Sequence, residues 1–472
     1  MLLAAFLLAS LFPGFVSQAA PNRASFAPAL GPVTRYLDPD ERAIKKFWTK
    51  ERMRSAQPLD ATVHASDLAG LGPKYLGDAG EPVTVSGSAP VLSSERLGAR
   101  RLKLGGSTPA KEGTSSASVP PGDPIPYTSG RITDSEVFPN VTHGKLFGRI
   151  PGRGNFVCSG TVVGSDTLDV VWTAGHCVTQ GNGTGFFTNL LFVPGYDDGV
   201  APEGEWVAEY ATTTSQWRYN TDIRYDVAAL TMAPNGGDEE IQEVVGARGI
   251  SFSQGSDQTY RSIGHPAGAP FDGKYMFFCD SDLGYLDSNM TSPRPLAIGC
   301  DMTGGSSGGG WIVEDTETGE GFVHSVNSYG YETGGNGYED TMFGPQMTNV
   351  AAAVHEAAGG DAPPDIIKPR LTRVSDGPDP FTPLRRTKKR TTIRFTLDER
   401  SDLTLTIKNK AGTTVAKLRK TRVNADRYSI AWNGRHMRTN KVVKAGYYTY
   451  KIMATDLAGN PANKSGRVRV KR

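Results

Sequence analysis

Cysteine and long apolar runs are both scarce in this chain of 472 residues. Its four cysteines include no C-x-x-C pair, the spacing of most structural zinc sites, and no motif for an organic cofactor stands out. We therefore expect no metal and no cofactor. Beyond the amino terminus no apolar run reaches the roughly 20 residues that cross a bilayer, which excludes a later membrane span. Nucleic-acid motifs are also missing, so the sequence does not favour nucleic acid as a partner.

The amino terminus does carry one apolar stretch. Residues 2–9 read L-L-A-A-F-L-L-A, and the stretch ends in the small residues of S-Q-A-A at 17–20. This pattern predicts a signal peptide over residues 1–20 and hence a secreted, extracellular protein. In that compartment an even number of cysteines favours disulfides.

Three short motifs place a serine, a histidine and an aspartate in a chemically useful order. Residues 303–310 read T-G-G-S-S-G-G-G, and so much glycine leaves the hydroxyl of Ser307 clear while backbone N–H groups face a developing oxyanion. A serine nucleophile needs a base, which T-A-G-H-C supplies as His176. Between them, Asp226 begins the run D-V-A-A-L. Asp222, four residues earlier, is a rival, and Asp226 is preferred because four apolar residues follow it. We predict a catalytic triad of His176, Asp226 and Ser307.

These motifs resemble those of the trypsin and chymotrypsin family, T-A-A-H-C, D-I-A-L-L and G-D-S-G-G, and the order of the triad differs from that of subtilisins and α/β-hydrolases. C-S-G-T-V-V at 158–163, G-H-P-A-G at 264–268 and H-S at 324–325 are similar to motifs of secreted bacterial glutamyl endopeptidases. The resemblance implies a chymotrypsin-like double β-barrel with the site between the barrels. Short apolar runs separated by turn residues between 132 and 350 also predict strands of a barrel or sandwich.

The same resemblance implies further site residues. The backbone N–H groups of Gly305 and Ser307 form the oxyanion hole. His324 aligns with a histidine that receives an acidic side chain, which favours substrates with an acidic residue before the scissile bond; Asp301 would instead favour basic residues, as in trypsin. The residues of the predicted substrate pocket are Gly304, His324, Ser325, Val326 and Asn327.

The four cysteines allow three pairings, of which the pairing of neighbours along the chain is preferred. It joins Cys158 to Cys177 around the histidine loop and Cys279 to Cys300 before the serine. Loops of this length would each contribute roughly 3 kcal/mol of stability if the effect is one of chain entropy.

Residues 21–130 are predicted to be a propeptide and linker, which makes the protein a zymogen. The D-P-D-E sequence at 38–41 has the acid, proline and glutamate that begin a helix, with Asp38 as the N-cap, and apolar residues follow at helical spacing to Met53. Such a helix either only packs, or assists folding or blocks the cleft. The Gly, Pro, Ser and Thr content of 68–127 predicts an exposed tether, with cleavage expected after Arg101 or Arg131.

The carboxyl-terminal part has another character. Residues 131–358 are assigned to the peptidase domain, 359–376 to a linker that follows a closing helix near 351–358, and 377–472 to a small antiparallel domain with alternating apolar residues. W-N-G-R at 432–435 and A-G-Y-Y-T-Y at 445–450 resemble the immunoglobulin-like module of bacterial secreted proteins and of flagellar hook-capping proteins. The predicted class is therefore all-β, a double barrel with a carboxyl-terminal β-sandwich.

Charge is divided unevenly. Residues 377–472 contain 24 Lys and Arg and 6 Asp and Glu, which gives 24 − 6 = +18, whereas the whole chain carries +2 and the remainder therefore −16. Besides protein or peptide substrates, this basic module predicts an anionic partner such as cell-wall polymer or another polyanion. The alternative to a secreted serine endopeptidase is a non-catalytic surface-binding protein with a degenerate peptidase body, but all three triad positions are intact.

Overall fold

The computed structural model describes residues 31–37, 40–63, 80–91, 119–236, 238–313, 321–331, 339–359, 368–384, 389–398, 401–423, 426–456 and 460–471. The predicted signal peptide, the cleavage position after Arg101 and most of the basic run at 385–390 lie outside these residues. Within them, no helix has the length and apolar character needed to cross a bilayer.

Strands dominate the described chain. The amino-terminal segment contains β1 (Val33–Tyr36), α1 (Glu41–Phe47), α2 (Lys50–Ser55), β2 (Gln57–Pro58), β3 (Thr62–Val63) and β4 (Val83–Val85). The central part contains β5 (Thr128–Arg131), β6 (His143–Ile150), β7 (Gly154–Val162), β8 (Val170–Thr173), β9 (Thr188–Pro194), β10 (Trp206–Thr213), α3 (Ser215–Asn220), β11 (Ala228–Met232), α4 (Ile241–Val245), β12 (Gly249–Phe252), β13 (Thr259–Gly264), β14 (Phe277–Asp282), β15 (Tyr285–Leu286), β16 (Leu296–Gly299), β17 (Gly310–Val313), β18 (Phe322–Val326), β19 (Gly330–Tyr331), β20 (Thr341–Gly344) and α5 (Asn349–Gly359). The carboxyl-terminal part contains β21 (Leu371–Gly377), β22 (Thr391–Leu397), β23 (Ser401–Lys408), β24 (Thr414–Val423), β25 (Asp426–Trp432), β26 (Gly446–Asp456) and β27 (Pro461–Val470). The predicted all-β class is confirmed.

The first half of the central part is a closed barrel. Its six strands follow the order β6-β7-β8-β11-β10-β9, and β9 pairs with both β6 and β10, so the ring has no free edge. Its interior is filled by fully buried side chains such as Val171, Phe192 and Leu230. The V-V-W run of β8 is buried on both faces, which fixes the end of this strand and therefore the position of the histidine that follows.

The second half contains a seven-stranded sheet of order β4-β12-β18-β17-β13-β14-β5 and a three-stranded sheet of order β15-β16-β20. The loop that carries Ser307 lies immediately before β17. Trp311, the second residue of that strand, is fully buried and its indole N–H donates to Oδ1 of Asn327 at 2.7 Å. The loop that carries Ser307 is thus attached to a buried, hydrogen-bonded strand.

The amino-terminal helix differs from its prediction. It begins at Glu41 with Asp40 as the N-cap, because the carboxylate of Asp40 accepts the N–H of Ala43 at 3.0 Å. Asp38, the expected cap, lies outside the described residues. The apolar residues also belong to two helices and not to one, because Trp48 leaves the helical conformation between them. Trp48 and Met53 are buried against the first barrel in a cluster that includes Phe147.

Two segments that were predicted to be connections contain strands. The expected tether at 68–127 contains β4, which pairs antiparallel with β12, and Arg131 at the expected cleavage position lies in β5, paired with Phe277 of β14. The linker expected at 359–376 overlaps β21, which pairs with β22. Polar and small residues fit these strands because they are edge strands, where a buried apolar face is not required.

The carboxyl-terminal part is a β-sandwich. One sheet has the order β21-β22-β25 and the other β24-β23-β26-β27, and buried residues such as Phe381, Trp432 and Ile452 fill the space between them. Strands β24 and β27 were not predicted, because Lys and Arg obscure their alternation. The sandwich contacts the amino-terminal strand, since Nη1 of Arg35 lies 3.8 Å from Oδ2 of Asp456 and both side chains are buried.

Candidate active site

His176 and Asp226 are held together by backbone and side-chain hydrogen bonds. His176 lies in a single 3-10 turn after β8, and its backbone N–H donates to Oδ1 of Asp226 at 2.7 Å. Its Nδ1 lies 2.7 Å from Oδ2 of the same carboxylate. Gly175 permits this approach, because a Cβ there would lie 2.6 Å from the ring of Trp217 and 2.9 Å from Oδ1 of Asp226. Asp226 can therefore fix both the tautomer and the orientation of the imidazole.

The electrostatics of this pair favour a protonated imidazole. Burial lowers the pKa of His176, but the charge of Asp226, its hydrogen bond and the charge of Asp60 raise it, and the net pKa lies above the ordinary value. The rival Asp222 has a different partner, since its two carboxylate oxygens accept from Nε and Nη2 of Arg224 at 2.8 and 2.7 Å. The structure thus brings Asp226, and not Asp222, to the histidine.

The serine loop needs glycine for two different reasons. Gly305 and Gly308 have φ values of +98° and +82°, in the left-handed region that side chains disfavour. There is also no room for a side chain at Gly308, because its Cβ would lie 2.1 Å from Oγ1 of Thr173. The carbonyl of Ser307 accepts from the N–H of Ser159 at 2.7 Å, which joins the loop to the first barrel. The predicted nucleophile is thereby placed between the two halves.

A peptide carbonyl lies at the predicted oxyanion hole. The N–H of Gly305 donates to the carbonyl oxygen of Leu59 at 3.4 Å, and Oγ of Ser307 donates to the same oxygen at 3.2 Å. Among the residues that the structure describes, Nε2 of His176 is buried without a hydrogen-bond partner. The predicted base and the predicted nucleophile are therefore both present, but the hydroxyl of Ser307 is hydrogen-bonded to the carbonyl of Leu59.

The residues of the predicted pocket are divided between two environments. Gly304 faces Asp60, since a Cβ there would lie 3.1 Å from Cβ of Asp60. Asn327 supports the serine loop, with Nδ2 donating to the carbonyl of Ser306 at 3.2 Å. Ser325 is buried and donates to the carbonyl of Pro345, and Val326 belongs to the main core. Gly304 and Asn327 thus adjoin the serine loop, whereas Ser325 and Val326 are packed in the interior.

The two residues proposed to set specificity lie in separate places. Nδ1 of His324 is 3.2 Å from Oγ of Ser251, its ring packs against Tyr260, and burial lowers its pKa to about 4. Asp301 accepts from Oγ of Ser129 at 2.9 Å. A role for His324 in binding an acidic side chain stays a prediction.

Both disulfides join the expected neighbours. Cys158 is bonded to Cys177, and Cys279 to Cys300. The first bridge ties β7 to the turn that carries His176, directly beside the histidine. The second ties β14 to the segment that follows β16.

Sequence reasoning missed several residues of the site. Ser328 donates to Oδ2 of Asp226 at 2.6 Å, and Ser159 donates to the carbonyl of Gly305 at 3.0 Å while accepting the N–H of His265. A lone serine carries no local signal, so neither role could be read from the chain. The same holds for Leu59, which lies 248 positions before Ser307.

Two family models match parts of the chain. A family model described as a trypsin-like peptidase domain matches residues 158–320, and one described as a FlgD Ig-like domain matches residues 383–458. A search of curated proteins found no match.

Solved structures give the following similarities. Protease Anisep from Arthrobacter nicotinovorans is 34% identical, with 50% of this chain and 100% of that chain covered and a TM-score of 0.44. The thermostable serine protease AL20 from an extremophilic microorganism is 36% identical, with 46% and 96% covered and a TM-score of 0.42. A Glu endopeptidase in complex with MPD is 18% identical, with 50% and 98% covered and a TM-score of 0.38.

The fold and the matched peptidase model define a serine endopeptidase, a hydrolase whose substrates are proteins or peptides. More than 30% identity extends over nearly the whole length of two serine proteases. The chain belongs to the trypsin-like serine peptidase family, and it carries an additional carboxyl-terminal FlgD Ig-like domain.

Proposed function

We propose that this protein is a secreted endopeptidase, made as a zymogen, that cleaves peptide bonds with Ser307 as nucleophile, His176 as base and Asp226 as the group that orients the base. The observation that carries the proposal is the arrangement around one carbonyl oxygen. Both the N–H of Gly305 and Oγ of Ser307 reach the carbonyl oxygen of Leu59, and His176 is held by Asp226. A substrate carbonyl at this point would be polarised and exposed to attack.

Each step follows from these groups. Oγ of Ser307 forms a bond to the carbonyl carbon while its proton passes to Nε2 of His176, and the N–H groups of Gly305 and Ser307 hold the oxyanion. Asp226 stabilises the imidazolium through Nδ1. The imidazolium then protonates the amine, the C–N bond breaks, and an acyl group remains on Ser307. Water, deprotonated by His176, attacks that ester, the bond between the acyl carbon and Oγ breaks, and the imidazolium returns its proton to Oγ of Ser307 as the acid leaves.

A fluorophosphonate probe tests the nucleophile directly, because it reacts only with an activated serine. Labelling of the processed, secreted form should map to Ser307 by mass spectrometry and disappear in Ser307→Ala. Failure to label that form would favour the non-catalytic alternative.

Secretion and processing form a second part of the proposal. The apolar leader at 1–20 supports export, and the segment that follows it contacts the peptidase body through β1, β2 and β4. Amino-terminal sequencing of the protein from the culture medium checks both points. A secreted form that begins near residue 21 would support export without processing.

For specificity, we propose a preference for an acidic residue before the scissile bond. His324 supports it chemically, since its lowered pKa leaves the ring neutral at pH 7, and a neutral ring whose Nδ1 is engaged by Ser251 can donate through Nε2 to a carboxylate. Chromogenic peptides that end in Glu, Arg, Ala or Phe distinguish a preference for acidic residues from a preference for basic, small or aromatic ones. Cleavage after Arg without cleavage after Glu would contradict the role of His324.

We also propose that the carboxyl-terminal sandwich binds an anionic polymer through the outer face of its four-stranded sheet. Side chains on this face alternate with the buried ones, and its register brings Lys417 and Lys451 to either side of Thr406. The same face also carries an acidic side chain, that of Asp402. The exposed cations of this face, here called the basic face, are Lys408, Lys417, Arg419, Lys451, Arg467 and Arg469.

A further inference from the structure

A short stretch of the amino-terminal segment crosses the active site and is paired on both sides of it. On one side, Gln57 and Pro58 of β2 lie parallel to β7, and the N–H of Leu59 donates to the carbonyl of Val157 at 3.0 Å. On the other side, β3 lies parallel to β19, with Thr62 opposite Gly330. Paired strands on both sides fix an extended peptide in a cleft, as in the addition of a strand to a sheet edge.

At the centre of this stretch, the main chain of Leu59 contacts Ser307, the proposed nucleophile. The carbonyl oxygen of Leu59 accepts from the N–H of Gly305 at 3.4 Å and from Oγ of Ser307 at 3.2 Å. Attack requires the hydroxyl proton to pass to His176, but here it is donated to Leu59, and Nε2 of His176 has no hydrogen-bond partner within the described chain. The carbonyl of Leu59 thus accepts from one of the two N–H groups predicted for the oxyanion hole, and the hydroxyl of Ser307 is not donated to His176.

The next two residues add to this arrangement. Asp60 faces Gly304. Burial lowers the pKa of His176, whereas the charge of Asp226, its hydrogen bond and the charge of Asp60 raise it. A protonated histidine cannot accept the serine proton. Ala61 packs against the aromatic cluster that contains Trp217 and Tyr329. Both side chains therefore favour an occupied and unreactive cleft.

The stretch is attached to a strong anchor just before it. Trp48 is 3% exposed, its indole N–H donates to the carbonyl of Asn189 at 2.7 Å, and its ring packs against Phe147. Met53 and Ala56 lie in the same cluster. An anchored segment acts at a high effective concentration, so even weak contacts in the cleft keep it occupied.

We propose that residues 57–61 are a built-in inhibitor that fills the peptide-binding cleft of the precursor, with the carbonyl of Leu59 taking the position of a substrate carbonyl without being cleaved. This proposal rests on the proposed function of Ser307 and His176. Because Trp48 and β1 hold the segment by non-covalent contacts, a cut between residues 64 and 130 is not sufficient for activation. The freed segment must also dissociate or be degraded.

The experiment measures the rate at which a fluorophosphonate labels Ser307 in the intact full-length chain. Leu59→Pro removes the N–H that donates to Val157. Val91→Pro is the matched control, because the N–H of Val91 also donates one bond to the peptidase body, to the carbonyl of Glu243 at 2.9 Å. We expect Leu59→Pro to raise the labelling rate about tenfold, the equivalent of roughly 1.4 kcal/mol, and Val91→Pro to leave it unchanged.

A second variant and a mass measurement complete the test. Leu59→Gly keeps the N–H but removes a side chain that packs against the main core, so it should raise labelling too if Leu59→Pro does not fold. Equal labelling rates in the wild type and both Leu59 variants would overturn the inhibitor, as would a wild-type chain cut after Leu59, which would make this stretch a substrate. Absence of labelling even in the processed secreted form would instead refute the proposed function, and the inhibitor with it.

Discussion

The carboxylate of Asp226 binds His176 at two atoms, the backbone N–H and Nδ1, at 2.7 Å each. The first bond fixes the backbone turn and the second fixes the ring, so position and tautomer depend on the same side chain. Ser328 donates a further hydrogen bond to this carboxylate. Removal of its charge should therefore affect chemistry more than folding.

Asp226→Asn should lower kcat by about 10,000-fold, because an amide stabilises the wrong tautomer and no longer stabilises the imidazolium. Peptide hydrolysis of the processed enzyme measures this loss. Asp222→Asn is the control, since it weakens the buried pair with Arg224 and should lower the melting temperature without a comparable loss of kcat. A larger loss of kcat for Asp222→Asn would make that residue the triad acid.

The raised pKa of His176 has a definite sign in the pH profile. The base must be neutral, so kcat/KM should fall as the pH decreases through a pKa above the ordinary value of 6.5. In the intact precursor, Asp60→Asn removes one of the charges that raise this pKa, so the histidine titration followed by NMR should move to lower pH. Glu51→Gln, in helix α2 of the same segment, should leave it unchanged.

Gly308→Ala should abolish most activity, with a loss of at least about 100-fold, because its Cβ would lie 2.1 Å from Thr173 and displace the serine loop. Gly152 is a matched control, since its φ of +78° is similar but nothing lies within 4 Å of its Cβ position. Gly152→Ala should cost about 1 kcal/mol of stability and no activity. Equal effects of the two substitutions would show that backbone strain alone decides the outcome.

The two disulfides should differ in their effect on activity. Replacing Cys158 and Cys177 by serine, or Cys279 and Cys300, opens loops of 19 or 21 residues and should cost about 3 kcal/mol in each case. Calorimetry should show melting temperatures lower by about 6 to 12 °C. Only the first pair adjoins His176, so only its loss should also lower kcat markedly; an unchanged kcat would contradict this.

Lys417→Glu combined with Arg419→Glu should weaken retention on a polyphosphate column, with elution at lower salt, because screened charge contacts scale with the number of cations on the face. Lys46→Glu with Lys50→Glu changes the net charge equally on the exposed amino-terminal helices. Both variants are compared as the intact chain, because processing would remove Lys46 and Lys50. The rate at which a fluorophosphonate labels Ser307 should be the same in both. If the two double variants elute together, net charge and not the basic face governs binding.

The triad motifs were predictable because their chemistry imposes local sequence. An accessible hydroxyl at Ser307 needs glycine at positions 305 and 308, where φ is positive. His176 needs a glycine before it so that Asp226 can approach. The start of the amino-terminal helix and the edge strands could not be predicted from the sequence. Asp38 and Asp40 are both suitable caps in sequence, and only the hydrogen bond to Ala43 distinguishes them. Strand β24 carries Lys and Arg in a stretch, residues 417–421, whose consecutive side chains are all exposed, so it shows no simple alternation.

Sequence by itself determined the family and the division into an acidic body and a basic carboxyl-terminal module, and it predicted the triad residues, because each depends on short motifs or on composition. Only the tertiary structure decided what lies against the nucleophile. Leu59 reaches Ser307 through main-chain hydrogen bonds across 248 positions, and a main-chain carbonyl is present at every residue. Contacts of that kind leave no mark on side-chain identity, so folding alone assigns them.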